Sequence, residues 1–259
     1  SLAVYRNVSL IFVMLPLLFF SSPGDFSAIL FQLHWVAMAG LSGTIGLALM
    51  FRSYIHLPVG ISSGMRQSAG VLSSLLLAYF AFSEEFRGIQ LIMISVLLLG
   101  SFILGKAKNP MPHLTLSAIR GLIFTVASGA FIAFSTFIMS KLARETGPAI
   151  AGYLLEASIG VFSLTLLLTR RKLLNEKSEP VPITTFFKVA LVSSPTLLGT
   201  GAAAWAVTIG SFGLLRAYSV SGLLLTVIFS HMLYKEHLSR EQWLGIVILI
   251  VGIFGLRIC

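Results

Sequence analysis

Nine blocks of apolar residues, each roughly 20 residues long, constrain this chain more than any other feature of its sequence. A helix of about 20 residues spans the hydrocarbon core of a bilayer. Backbone polar groups inside lipid are satisfied only in helices or closed barrels. The blocks therefore predict an all-α integral membrane protein with nine transmembrane helices. Their approximate ranges are 1–20, 34–55, 60–82, 87–105, 117–140, 147–169, 186–206, 210–233 and 240–258.

Composition supports this class and limits the partners. Only 10% of the residues are charged, compared with about 25% in soluble domains. The net charge of +9 would suggest nucleic acid in a soluble protein. Here most Lys and Arg lie in short loops, where they set topology and meet anionic headgroups. We therefore expect the lipid bilayer as a partner and no nucleic acid. The single cysteine, Cys259, excludes a disulfide within the chain.

A shift of 152 residues places the third and fourth blocks on the eighth and ninth without a gap. Matches between apolar residues carry little information in membrane helices. The repeated spacing of a glutamate, a glutamine and a glycine carries more. The aligned pairs are Gly70 with Gly222, Glu84 with Glu236, Gln90 with Gln242, and Gly100 with Gly252.

The same register predicts two halves, 1–105 and 117–259, in a single membrane domain. The fifth block has no partner, so the first half is expected to lack its first helix, which would need about 30–35 residues before Ser1. A unit of five helices is odd, so the two halves should have opposite orientations in the membrane. Inverted repeats of this kind are characteristic of secondary transporters, whose substrate site lies near the midplane.

Loop charges predict the orientation. Most Lys and Arg lie at the loops that begin the odd-numbered blocks, for example Arg52 and Arg170 to Lys172. The positive-inside rule places those loops in the cytosol and the C-terminus outside.

The last hairpin carries a family resemblance. The segment YKEHLSREQWLGIVILIVGIFGLR at 234–257 has a glutamate-containing turn, a Gln-Trp-x-Gly helix start and late glycines. It resembles the closing hairpin of the drug/metabolite transporter superfamily, EamA type, and the segment at 82–105 is a weaker copy. The resemblance implies a ten-helix carrier for small molecules. It also implies a central cavity lined by helices of both halves, including the second, third, seventh and eighth blocks.

Two features depart from the family pattern. The first helix of the family is expected to be missing from this chain. Members of the family often have a cytosolic C-terminus, whereas the loop charges here predict the opposite. The expected location is the cytoplasmic membrane of a bacterium or archaeon.

Arg66 is the first candidate for a binding residue, because it lies inside the third block. On a helix, Ser62, Arg66 and Ser73 share one row, and Ser63 and Gln67 lie on the adjacent row. Lipid cannot satisfy such a polar stripe, so it should face protein or a wet cavity. Arg66 then either contacts a ligand, joins a network of hydrogen bonds between helices, or reaches towards the nearer headgroups.

Arg216, in the eighth block, is the second intramembrane arginine, and Ser219 shares its row. Arginine suits carboxylate and phosphate groups, so the two arginines predict a small anionic or zwitterionic metabolite. The two are expected to lie on either side of the midplane. However, the repeat aligns Arg66 with Tyr218, so Tyr218 is the alternative contributor from the second half.

Glu156, in the sixth block, is the candidate for coupling transport to protons, since intramembrane carboxylates are functional by default. The alternative is a structural salt bridge with Arg6, Arg66 or Arg216. Tyr54 and Trp205 are candidates for stacking on a ligand, although aromatic side chains also collect at the membrane interface.

The sequence shows no Gly-rich phosphate loop, no Ser/His/Asp set and no histidine spacing typical of metal sites. We therefore expect no enzymatic activity, no cofactor and no metal. Glu84 and Glu236, in turns between blocks, are expected to have a structural capping role. Two alternatives remain open: a broad exporter of drugs or cations with the same fold, and a membrane scaffold that transports nothing.

Overall fold

The computed structural model describes residues 2–105, 115–174, 182–234 and 239–258. These residues form helices joined by short turns, with no strand among them. A short 3-10 helix, Leu15–Phe20, follows the first helix. The α-helices are α1 Leu2–Val13, α2 Pro23–Leu30, α3 Leu33–His56, α4 Val59–Phe82, α5 Gly88–Gly105, α6 Leu116–Glu145, α7 Pro148–Leu174, α8 Ile183–Ser193, α9 Pro195–Ile209, α10 Phe212–Tyr218, α11 Ser221–Tyr234 and α12 Arg240–Ile258.

Five segments of the described chain are long and apolar enough to cross a membrane, and a sixth is counted if α8 and α9, which meet at a bend of 40°, form one span. The protein is therefore an integral multi-pass membrane protein. Helix α4 has 24 residues, but its arginine and serines lower its hydropathy. The nine-helix count and the inverted arrangement stay predictions. The five segments are Ala3–Phe20, Leu33–His56, Leu116–Glu145, Pro148–Lys172 and Arg240–Ile258.

Prolines divide two of the predicted blocks. Proline has no amide hydrogen and its ring clashes with the preceding turn, so it is tolerated only at a helix start. Pro16 lies in the first turn of the 3-10 helix that follows α1. Pro195 begins α9 directly after α8 ends. The first and seventh blocks are thus each built from two helical pieces rather than one.

The eighth block is also divided, into α10 and α11, although it contains no proline. The Ser219 hydroxyl donates to the Arg216 carbonyl at 2.6 Å. The Val220 amide bonds the Ala217 carbonyl three residues back, and the Leu223 amide bonds the Val220 carbonyl. A tighter turn with i→i−3 bonds interrupts the α-helix here. The break leaves α10 as a separate helix of seven residues.

One compact unit comprises Ser1–Ile45 and Phe134–Gly210. In it, α1 packs on α7 and α8, and α7 also packs on α9. Asn7 on α1 donates to the Ser163 hydroxyl on α7 at 2.9 Å. Gly160 allows this approach, because a Cβ there would lie 2.7 Å from the Asn7 carbonyl oxygen. Small residues at such points let membrane helices pack closely.

The second unit comprises Gly46–Ala133 and Ser211–Cys259. Helix α5 packs on α12, and α4 packs on α5 and α10. The boundaries of these two units differ from those of the predicted halves. The units are defined by contacts in space, whereas the halves are defined by repeated sequence. The halves stay a prediction. The buried core of the second unit consists of Val71, Ile94, Leu97, Leu104, Ala217, Val220, Ile246, Leu249 and Leu256.

The contact between α5 and α12 repeats itself in the 152-residue register. A Cβ on Gly100 would lie 2.9 Å from the Leu249 amide nitrogen, and one on Gly252 would lie 2.7 Å from Leu97 Cγ. The register aligns Leu97 with Leu249 and Gly100 with Gly252. The contact of Gly100 with Leu249 therefore corresponds to the contact of Gly252 with Leu97. The repeated glycine therefore serves close packing between these two helices.

The repeated glutamine caps its own helix. The Ser239 amide donates to Gln242 Oε1 at 2.9 Å, and the Gln242 amide donates to Ser239 Oγ at 3.2 Å. These two reciprocal bonds form a capping box at the start of the ninth block. At the equivalent position of the first half, the Arg87 amide donates to Gln90 Oε1 at 3.0 Å. Both glutamines therefore satisfy an amide at a helix start.

Candidate functional site

Helix α4 carries five of the eleven predicted site residues and lies in the second unit. Pro58 precedes its first turn, and Ser83 ends it in the left-handed conformation with φ 53°. The residues between them are helical, so Arg66 and its polar neighbours lie on one side of the helix as predicted. Ser62 is buried, and Arg66 and Gln67 are half-buried.

The hydroxyls at the beginning of this stripe are paired within the protein. The Ser62 hydroxyl lies 2.5 Å from that of Ser53 on α3 and 3.1 Å from that of Thr125 on α6. The hydroxyl of Tyr54, on α3, lies 3.3 Å from that of Ser63. These contacts correspond to the structural network that the sequence left open. The hydroxyls of Ser62, Ser63 and Tyr54 are thus already paired within the protein, which argues against a role for them in ligand binding.

Arg216 reaches α4 from α10. Its Nε donates to the Ser74 hydroxyl at 3.4 Å. A Cβ on Gly70 would lie 3.7 Å from its Nη2. Gly70 follows Arg66 by one helical turn, about 6 Å. Arg216 is therefore part of a short helix that packs on α4, and both arginines belong to the second unit.

The Arg66 side chain differs from that of Arg216 in having no hydrogen bond to any other described residue. Its Nε is buried and unpaired. Gln67 and Ser73 likewise make no side-chain hydrogen bond within the described part of the chain. The Arg66 and Arg216 guanidinium groups act on each other as like charges. An unpaired buried donor and a like-charge neighbour are both unfavourable.

Gly129 on α6 fixes the backbone of α4 at this point. A Cβ on Gly129 would lie 2.6 Å from the Arg66 carbonyl oxygen and 2.9 Å from the Gly70 amide nitrogen. The two backbones are therefore in direct contact over the turn that links Arg66 to Gly70. Sequence reasoning missed Gly129, because its neighbour in space is known only from the packing.

Tyr218 and Ser219 lie just after Arg216. The Tyr218 side chain is half-buried and packs against the apolar core of the second unit. The Ser219 hydroxyl donates to a carbonyl of its own chain segment. Tyr218 thus packs against apolar side chains, although the repeat aligns it with Arg66.

Glu156 and Trp205 belong to the first unit. The Thr200 hydroxyl donates to Glu156 Oε1 at 3.0 Å, and the positive charge of Arg6 acts on the carboxylate. Among the three arginines considered as partners, Arg6 therefore acts on Glu156 through its charge. Trp205 is exposed and meets Phe20 edge to face, with ring centroids 6.1 Å apart. Tyr54 meets Phe51 in the same way at 6.2 Å.

The described residues contain no group of three or more His, Cys, Asp or Glu that could hold a metal ion. Glu84 hydrogen-bonds to the beginning of α10, which supports the capping role predicted for it. Glu236, His113 and His237 lie outside the residues that the structure describes.

Comparison with known proteins gives a family and a fold. The model of the EamA-like transporter family matches residues 119–258, more than half of the chain. Matches extend to 27 chains of solved structures. One of them, described as "Crystal structure of protein", superposes with a TM-score of 0.71 at 14% identity, over 98% of this chain and 87% of that chain. At this identity the likeness concerns the fold alone. No curated protein sequence matches the chain.

Proposed function

The chain belongs to the EamA-like transporter family, as the segment at 234–257 predicted, and from that premise we propose that it is a secondary carrier for a small anionic or zwitterionic metabolite. The family makes it a membrane transporter of the drug/metabolite kind, with a small-molecule substrate and the lipid bilayer as partners. In our proposal the carrier works by alternating access between inverted halves, 1–105 and 117–259, in the cytoplasmic membrane of a bacterium or archaeon.

The observation that carries the proposal is the pair of Arg66 and Arg216. Both guanidinium groups lie along the same stretch of α4, and neither forms an ion pair with a carboxylate of the described residues. Burying a charge without a partner is costly. An incoming carboxylate or phosphate removes that cost and accepts hydrogen bonds from both groups. Gln67 and Ser73 add neutral donors on the same side of α4.

The proposal is tested by the response of the purified protein to a panel of simple ligands. The panel contains inorganic phosphate, glycerol phosphate, succinate, pyruvate, glycine and the lipophilic cation tetraphenylphosphonium. We expect the anions or the zwitterion to raise the melting temperature and the cation to leave it unchanged, since ligands stabilise the state that they bind. Uptake of the stabilising compound into liposomes then establishes transport.

Two alternatives give different results in the same experiment. Stabilisation by tetraphenylphosphonium alone would favour a broad exporter of drugs or cations. The two arginines argue against that alternative, because a cationic substrate would meet like charges. A protein that responds to none of the six compounds and moves none of them would favour a scaffold. We propose no catalytic activity.

Glu156 is our proposed coupling residue. Protonation of its carboxylate would replace a charge with a neutral group that contacts Thr200 and no longer interacts with the charge of Arg6. We expect Glu156→Gln to abolish uptake driven by a pH gradient while leaving exchange of substrate at equal pH intact, because glutamine cannot take up or release a proton.

The matched control is Thr200→Val, which removes the donor to Glu156 and keeps the carboxylate. It should retain uptake driven by the pH gradient. If Glu156→Gln accumulates substrate as well as the wild type does, Glu156 has the structural role that the sequence left open.

A further inference from the structure

We propose that Glu84 is a positioning residue for the anion site: its carboxylate fixes the beginning of α10 and thereby places Arg216 against α4. This inference rests on the proposed function, since it requires Arg216 to contribute to anion binding. The sequence predicts a structural capping role for Glu84 and no role at the anion site. The assignment comes from the contacts that Glu84 makes.

Both oxygens of Glu84 are used at the first turn of α10. Oε1 accepts from the Phe212 amide at 2.8 Å. Oε2 accepts from the Gly213 amide at 3.0 Å and from the Ser211 hydroxyl at 2.6 Å. The Ser211 oxygen in turn accepts from the Leu214 amide at 3.2 Å. The first three amides of α10, which have no partner within a helix, are thus all satisfied.

The turn that carries Glu84 also packs around these residues. The Phe212 ring is fully buried and lies edge to face against Phe82, with centroids 5.9 Å apart. Gly213 faces Phe86 so closely that a Cβ there would lie 2.5 Å from the ring. These contacts therefore hold the beginning of α10 in one position, and Glu84 supplies the polar contacts among them.

The position of Arg216 follows from the position of this first turn of α10. Helix α10 has only seven residues, and a helix so short depends on its caps and its packing rather than on its own hydrogen bonds. Arg216 comes about one turn after the capped residues and donates to Ser74. A displacement of the first turn would therefore move the guanidinium away from Gly70 and Arg66.

The negative charge of Glu84 is part of this arrangement. Carboxylates bind backbone amides more strongly than neutral acceptors do, and they also interact favourably with a helix start. Glutamine at this position would offer one acceptor oxygen and one NH₂ group, which repels amide donors. Glu84→Gln therefore keeps the size of the side chain and removes its fit to α10.

The test is a double-mutant cycle read by anion affinity, with inorganic phosphate and succinate as the probes. The variants are Glu84→Gln, Arg216→Lys and the combination of both in the full chain. We expect Glu84→Gln alone to weaken the binding of the better probe about fivefold to tenfold. In the Arg216→Lys background the same change should weaken it by less than about twofold, because residues that act together are not additive.

Glu85→Gln is the matched control, because Glu85 is the neighbouring carboxylate, is exposed, and has no partner among the described residues. It should leave affinity unchanged. If Glu84→Gln does not fold, Ser211→Ala takes its place in the cycle, because it removes the hydrogen bond from the Ser211 hydroxyl to Glu84.

The outcomes separate the inference from the proposed function. Equal effects of Glu84→Gln with and without Arg216 would overturn the inference and leave the anion site standing. A lower melting temperature with unchanged affinity would also overturn it, because Glu84 would then be structural only. If Arg216→Lys itself binds both probes like the wild type, the anion site involving Arg216 is wrong and the inference falls with it.

Discussion

Replacing Arg66 with alanine is expected to reduce the stabilisation of the protein by anions strongly, without lowering the melting temperature of the ligand-free protein. Replacing a residue with a purely structural role should instead lower the melting temperature of the ligand-free protein and leave the stabilisation by anions unchanged. The two readouts therefore distinguish ligand contact from the structural network that the sequence left open.

The physical reason lies in the contacts that Arg66 lacks. Its side chain forms no hydrogen bond to another described residue, and the buried Nε is unpaired. It also repels Arg216. Its removal relieves these unfavourable terms in the empty site. In the occupied site, hydrogen bonds to a charged group contribute about 1.5–3 kcal/mol, so losing them should weaken anion binding by about tenfold to a hundredfold.

The measurement is the melting temperature with and without inorganic phosphate and succinate. Arg52→Ala is the control, because Arg52 is exposed on the neighbouring helix α3 and has no partner among the described residues. Arg66→Lys should retain part of the response, since lysine keeps the charge and loses the planar fork. A lower ligand-free melting temperature with the anion response intact would assign Arg66 to a structural network.

The second large effect is expected at Gly129. Replacing it with alanine should both destabilise the protein and weaken anion binding. The new methyl group would lie 2.6 Å from the Arg66 carbonyl oxygen, which is backbone and cannot rotate away. The helices α4 and α6 must separate, at a cost of about 1–3 kcal/mol for an overpacked site. That separation moves Arg66 and Gly70 relative to Arg216.

Gly199→Ala provides the comparison for this variant. Gly199 lies inside α9 and has no atom within 4 Å of the position that a Cβ would take. Alanine there should be neutral or slightly stabilising, because alanine is the better helix former. If Gly129→Ala melts and binds like the wild type, the close approach of α4 and α6 at this point is not present in the folded protein.

The positions of most helices could be predicted from the sequence. The third, fourth and ninth blocks were predicted at 60–82, 87–105 and 240–258, and the helices found there are α4, α5 and α12 at nearly the same bounds. Apolar runs, breaker residues and caps such as Ser239 act over a few residues, so they can be read locally. The family could be predicted for the same reason, because its signature at 234–257 is a local pattern.

The partners of the site residues could not be predicted in this way. The sequence indicated that Arg66 lies on a polar stripe, but not that Ser62 is paired with Ser53 and Thr125 while Arg66 is not. The register pointed to Tyr218 as the mate of Arg66, yet Tyr218 packs in an apolar core. Equivalent positions in a repeat share a place on a helix, and their neighbours still differ.

The sequence by itself determined the membrane-spanning class, the helix positions, the 152-residue repeat and the presence of two arginines in apolar blocks. These features depend on composition and on spacing along the chain. Only the tertiary structure decided that α10 is a separate short helix, that Glu84 caps it and that Arg216 consequently lies on α4. Those contacts join residues more than 100 positions apart, and packing in three dimensions selects them among many pairs that the sequence allows.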